Sequence, residues 1–191
     1  MQSVGLFFGS FNPIHIGHLA LANYMHEFEG LSEIWFVVSP LNPFKKADDL
    51  LDSEQRIEMV RLATEEQKTY RAEDIELSLP IPSYTIDTLN ALTKRYPEKK
   101  FSIIMGADNI IRFNKWKSAE EIISNYNILI YPRPGYHLDA KQLPNNCKLS
   151  NAPLVEIASS DIRQWIKEGK STPYLVPERV FEYIKEHKLY I

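Results

Sequence analysis

Cysteine is almost missing from this chain of 191 residues, where Cys147 stands alone. One thiol cannot form an intrachain disulfide, and a four-thiolate zinc site is excluded. No apolar run approaches the roughly 18 residues of a membrane span. The opening Met1-Gln2-Ser3 lacks the basic start of a signal peptide and leads straight into an apolar segment. A cytoplasmic protein that engages no membrane is the expectation. Charge of one sign is lacking as well: 22 Lys and Arg stand against 25 Asp and Glu, a formal net charge of -3. That balance leaves no global basic footprint and disfavours a nucleic-acid-coating protein, while a small anion still needs only a local positive pocket. Two phosphate-binding strings are absent, Gly-x-x-x-x-Gly-Lys-Ser/Thr and Gly-x-Gly-x-x-Gly. Their absence argues against a P-loop kinase and against an ordinary dinucleotide-binding dehydrogenase.

What is present fits an ordinary globular domain, with 44% hydrophobic and 25% charged residues. The length suits a single domain, residues 1–191. Short apolar runs at 4–8, 34–38, 101–105, 128–131 and 154–157 read as buried strands, and 70–77 as a weaker one. Helical spacing marks 16–28, 85–95 and a segment following Asp52 or Ser53, where Ile57 and Val60 share a face. Ser159 can cap a helix over 161–167, Ser83 the one over 85–95, and Pro177 opens a last helix. Strands alternating with helices predict an α/β fold, a doubly wound parallel sheet covered on both faces. Ligands bind such sheets beyond the carboxyl ends of the strands. The unusual residues of this sequence sit at those ends.

The richest segment follows the first strand: Gly9-Ser10-Phe11-Asn12-Pro13-Ile14-His15-Ile16-Gly17-His18. Gly9 lets the backbone approach a ligand or take a positive φ. His15 and His18, three residues apart at a helix start, share a face with the open N–H groups of the first turn. Backbone donors, the positive end of a helix dipole and two imidazoles make an anion site. On the residues alone, the pair also fits a solvated surface pair or half of a metal site, although a third metal ligand is not evident nearby.

This string resembles the His-x-Gly-His signature of the nucleotidylyltransferase superfamily. Ile157-Ala158-Ser159-Ser160-Asp161-Ile162-Arg163 resembles that superfamily's second motif. Between them, Ser83-Tyr84-Thr85-Ile86-Asp87-Thr88-Leu89, Gly106-Ala107-Asp108 with Phe113 and Trp116, and Arg133-Pro134-Gly135 are similar to one branch, the bacterial nicotinate-nucleotide adenylyltransferases. So is the tail Tyr174-Leu175-Val176-Pro177 with Tyr183-Ile184. The similarity runs in order through essentially the whole chain. Three positions depart from the family pattern: Phe8 replaces a glycine, Phe44 a histidine and Ala158 a serine.

The resemblance implies a Rossmann-like nucleotidylyltransferase fold. The implied reaction moves the adenylyl group of ATP to nicotinate mononucleotide, giving deamido-NAD and pyrophosphate in NAD biosynthesis. It would proceed by direct in-line attack, with no covalent enzyme intermediate. The attacking phosphate has a second pKa of about 6 and needs no general base. Positioning and electrostatics remain the enzyme's task. His15 and His18 are then expected at the ATP phosphates, Lys45 reaches them from the loop after the second strand, and Arg163 with Ser159 and Ser160 meets the β- and γ-phosphates. Gly9, Ser10 and Phe11 form the ATP-side turn, the Phe11 and Tyr24 side chains being packing. Gly106 and Asp108 meet the nucleoside, unless Asp108 is only a helix cap. Trp116 stacks on the nicotinate ring, unless it is a core residue, and Tyr84 and Thr85 offer N–H groups to its carboxylate. Mg²⁺ arrives bound to ATP, and no residue is assigned as a metal ligand. The partners are those two small molecules, and the sequence is compatible with a homo-oligomer.

Overall fold

The computed structural model describes residues 2–40 and 50–191. Lys45 and Phe44 lie outside the described residues. Six strands pair in parallel in the order β3-β2-β1-β4-β5-β6. They are β1 (Gln2–Gly9), β2 (Glu33–Val38), β3 (Tyr70–Glu73), β4 (Lys99–Gly106), β5 (Asn127–Tyr131) and β6 (Cys147–Leu149). The order reverses between β1 and β4, and the crevice at such a reversal is where doubly wound sheets take their ligands.

The period-two alternation of the strands decides the two faces. Phe7, Phe36 and Ile104 point to one side, where they pack with Met25 of α1 (Ile16–Phe28) and Ile57 of α2 (Ser53–Thr64). Ile162 of α6 (Ser159–Lys167) and Val180 of α7 (Glu178–Glu186) complete that layer. Leu6, Trp35 and Ile103 point to the other side. There they meet Leu89 of α3 (Thr85–Arg95) and Ile122 of α5 (Ala119–Asn125). A short helix, α4 (Ala107–Ile110), follows β4 directly. Both faces are therefore sealed, and the near-continuous apolar runs of β1, β2 and β4 follow from burial on two sides.

Several expectations need correction. Residues 154–157 form no strand. The last position in the sheet belongs to Cys147–Leu149, which pairs with Ile128 to Ile130. Leu154 is left exposed, while Val155 and Ile157 pack against the α1 side of the core. The strand expected over 70–77 stops at Glu73, whose carboxylate accepts from the Ile75 N–H at 3.1 Å and turns the chain into a 3₁₀ turn, Ile75–Ser78. Ser159 is not a cap: Ala158 holds that position, and α6 starts at Ser159. Nor does Ser83 cap α3, where Tyr84 is the N-cap residue. Asp52 does cap α2, accepting from the Glu54 N–H at 2.8 Å. No helix among the described residues is long and apolar enough to cross a membrane.

Candidate active site

The loop after β1 is shaped by one aromatic ring. Phe11 adopts a left-handed backbone, φ 46°, and its ring is 2% exposed. The ring lies against Gly9, where a Cβ would come within 2.8 Å of it. Glycine is thus required at position 9 for contact with a side chain of the same loop. The chain then turns through a cis Asn12–Pro13 bond and enters α1 with His15 as the N-cap residue. The two imidazoles stack, with ring centroids 3.7 Å apart and planes at 28°. The His15 N–H donates to Nδ1 of His18 at 3.3 Å, which places the proton of a neutral His18 ring on Nε2. Gly17 leaves room for this arrangement: a Cβ there would lie 3.0 Å from His15 Nδ1 and 2.7 Å from Val155.

His15 is buried, and its pKa falls from 6.5 to about 4, first through loss of water and second through the nearby charge of Arg133. Of the two imidazoles expected to attract an anion, His15 is therefore neutral at neutral pH in the unliganded protein. It stands there as a neutral dipole, not as a cation.

A cavity of about 500 Å³ opens over this loop. Its walls include Gly9, Ser10, Phe11, His15, His18, Asp108, Ser159, Ser160 and Arg163. Gly106 ends β4 beside β1, and a Cβ there would collide with the Asp108 carboxylate and crowd Arg133. Asp108 is not the cap of its helix, since Gly106 holds that place. Asp108 Oδ1 lies 3.6 Å from Arg133 Nε, an ion pair in which neither buried atom makes a hydrogen bond among the described residues. Both are placed to meet a polar ligand. Ser159 and Arg163 also brace the loop. Ser159 donates to the Pro13 carbonyl at 2.9 Å, and Arg163 Nη1 donates to the Asn12 carbonyl at 2.9 Å.

A second cavity of about 370 Å³ adjoins the first. Tyr84, Thr85 and Trp116 line it together with Lys115, Lys117 and Glu76. No side chain caps the first turn of α3. Trp116 is half-buried and tilted against Phe113, at 5.1 Å between rings, so it is both wall and packing. Glu76 is buried beneath, accepting from Ser83 and Thr88 hydroxyls at 2.8 Å each, and burial pushes its carboxyl up. The two cavities share Phe8, Gly9, Asn109 and Tyr131, so two ligands would meet across the end of β1.

All the expected site residues within the described part thus come to one sheet edge. Sequence reasoning did not single out Asn109, Tyr131, Arg133 as a charge partner, Lys115, Lys117 or Glu76. Tyr131 and Arg133 could have been found, because they end the fourth apolar run. Asn109 and Glu76 carry no local signal. Among the described residues, no three His, Cys, Asp or Glu side chains gather as a metal cage.

Comparison with known proteins identifies the family. A family model described as cytidylyltransferase-like matches residues 6–165. A Bacteroides fragilis protein named "Probable nicotinate-nucleotide adenylyltransferase" is 50% identical over 94% of this chain and 90% of its own length. A Flavobacterium johnsoniae protein of the same name is 47% identical over 99% of both chains. The fold matches that of a Plasmodium falciparum nicotinic acid mononucleotide adenylyltransferase solved with NaAD. That match has a TM-score of 0.81 at 20% identity and covers 100% of this chain and 98% of the other. With its fold, its two motifs and near-half identity along full-length relatives, the chain belongs to the cytidylyltransferase-like family and, within it, to the nicotinate-nucleotide adenylyltransferases.

Proposed function

We propose that this enzyme transfers the adenylyl group of ATP to nicotinate mononucleotide, releasing pyrophosphate and forming deamido-NAD, in the cytoplasm. The observation that carries the reading is the pair of cavities joined at Gly9, Asn109 and Tyr131. A transfer between two bound molecules needs two such pockets with a common wall.

ATP occupies the larger cavity. Its phosphates lie over the 9–18 loop, near the His18 ring, Arg163 and the start of α6. Its ribose meets Asp108. Lys45 is assigned to the phosphates from the family pattern. The acceptor occupies the smaller cavity, with its nicotinate ring on Trp116 and its carboxylate at the open first turn of α3. The acceptor phosphate attacks the α-phosphorus in line, and pyrophosphate leaves on the opposite side. No enzyme nucleophile is used. His18, with its proton on Nε2, donates to the oxygens on which charge develops. Asp108 is the one carboxylate among the described residues lining this cavity and would face Mg²⁺ brought in with the triphosphate, where the ion would neutralise phosphate charge.

The test is pyrophosphate release from ATP and Mg²⁺, with nicotinate mononucleotide, nicotinamide mononucleotide and phosphopantetheine as separate acceptors. Nicotinate mononucleotide should give the highest kcat/KM. Preference for phosphopantetheine would move the enzyme to another branch. ATP binding without pyrophosphate from any acceptor would make it a nucleotide sensor.

A further inference from the structure

Two buried polar side chains grip the phosphate-side loop from behind without lining either cavity. Arg56 of α2 is 0% exposed. Its Nη1 donates to the carbonyls of Ser10 at 2.7 Å and Ser39 at 2.8 Å, its Nη2 to Pro40 at 3.0 Å, and its Nε to Leu51 at 2.9 Å. Tyr190 follows α7 and is also buried, donating its hydroxyl to Asn12 Oδ1 at 2.9 Å. The same oxygen accepts from the Leu51 N–H at 3.4 Å.

We propose that Arg56 and Tyr190 are positioning residues for adenylyl transfer, a brace that holds Ser10 and Asn12 on either side of the left-handed Phe11. The inference rests on the activity proposed above. A non-glycine residue at φ 46° is disfavoured and persists only where its surroundings fix it. Here both flanking residues are fixed: Ser10 by Arg56, and Asn12 by Tyr190 and, through its carbonyl, by Arg163. The Phe11 ring in turn meets the His18 ring edge-on, with centroids 5.1 Å apart. Loosening the brace would therefore be felt at His18 and Ser10, both of which face the ATP cavity. Arg56 does this as no lysine could. Its planar fork reaches four carbonyls belonging to three segments, whereas an ammonium donates from one point.

The experiment compares Tyr190→Phe and Arg56→Lys with the unaltered enzyme. Tyr126→Phe serves as a control, removing a surface hydroxyl that meets Thr93 at 3.2 Å. Pyrophosphate release gives kcat and KM for ATP, and hydrogen exchange follows the amides of 10–18 against those of the sheet. Tyr190→Phe keeps the ring and loses one hydrogen bond. It should lower kcat about tenfold with KM for ATP changed less than about twofold, because misplacement of reacting groups costs rate before affinity. Exchange should quicken within 10–18 and not in β1, β2 or β4. Arg56→Lys should do the same more strongly, and Tyr126→Phe should change neither. If Arg56→Lys does not fold, Tyr190→Phe decides alone. Unchanged exchange at 10–18, or exchange that rises equally through the sheet, overturns the brace, as does an unaltered kcat in an active enzyme. Should the unaltered enzyme release no pyrophosphate, the proposed activity falls, and the exchange data still decide the brace.

Discussion

Acid should destabilise this protein through one buried imidazole, and the size of the effect follows from its surroundings. His15 titrates near 6.5 when unfolded and at about 4 when folded. Between those values the unfolded chain binds a proton that the folded chain refuses. Stability is therefore complete above about pH 6.5, falls as the pH drops toward 4, and falls no further through this group below that. The linkage relation gives a loss of about 2 kcal/mol at pH 5 and about 3 kcal/mol at pH 4. Glu73 and Glu76 work the other way, since burial raises both, so that each adds stability as it takes up its proton. Substitution isolates His15 from them. Urea unfolding of the unaltered protein and of His15→Gln at pH 7, 6, 5 and 4 gives two curves whose difference cancels the carboxyl groups. That difference should grow toward acid by the amounts above. Parallel curves would mean that His15 titrates normally, and the neutral-imidazole account of the site would fail. Bound ATP should push the same pKa back up, because the triphosphate would bring further negative charge close to the imidazole. Calorimetric titration near pH 5 in buffers of different ionisation enthalpy should then show proton uptake on ATP binding, and uptake should vanish in His15→Gln.

Two further substitutions probe the assigned roles. His18→Ala should lower kcat by about 10²–10³, the worth of one transition-state donor. It should lower Tm by only a few degrees, because the half-buried ring contributes a stack on His15, edge contacts with Phe7 and Phe11 and an acceptor for the His15 N–H. An early-melting variant of normal turnover would make His18 a packing residue. Trp116→Ala should raise KM for nicotinate mononucleotide at least about tenfold over any change in KM for ATP, the equivalent of about 1.4 kcal/mol of lost contact. Equal changes in both would assign Trp116 to the core with Phe113.

The strands that were legible are the ones buried on both faces. Val4, Leu6 and Phe7, or Ile34 to Val38, leave no alternative to an interior parallel strand, and their alternation places each side chain in one of two core layers. β6 was not legible for the opposite reason. Three residues, Cys147–Leu149, sit at an edge with an exposed lysine between two half-buried side chains, while the stronger apolar run at 154–157 leaves Leu154 exposed and packs only Val155, beside Gly17, and Ile157 on the core. The same contrast governs the site. The 9–18 loop is continuous in sequence, so its glycines, histidines and helix start announce an anion site by themselves. Asn109 and Glu76 join it only after β4 and the 3₁₀ turn are set side by side. The caps expected at Ser83 and Ser159 failed because each hydroxyl found an acceptor outside its helix, Glu76 seven residues back in one case and the distant Pro13 carbonyl in the other. Local rules predict a local bond, and tertiary contact chose differently.

The electrostatics of the empty and loaded site differ in a way that suits the proposed reaction. Two permanently charged, stacked imidazoles 3.7 Å apart at a helix N-terminus would repel each other and the helix dipole. A neutral His15 removes that repulsion in the absence of ligand. Arg133 is partly offset in the same way by Asp108 at 3.6 Å. Among the described residues the cavity then carries Arg133 and Arg163 against Asp108, a small positive excess, until phosphates arrive. On the proposed reading its positive potential would then grow with the ligand: the triphosphate would draw a proton back toward His15, and the unpartnered Asp108 Oδ1 and Arg133 Nε would turn to ribose hydroxyls and phosphate. A site of this kind binds a polyanion without storing an equal and opposite charge in the apo protein. It should bind ATP more tightly as pH falls from 7 toward 5, over the same interval in which the unliganded fold weakens. ATP affinity that stays flat across that interval would mean that the imidazole remains neutral throughout the cycle, leaving Arg133, Arg163 and the helix starts to hold the phosphates.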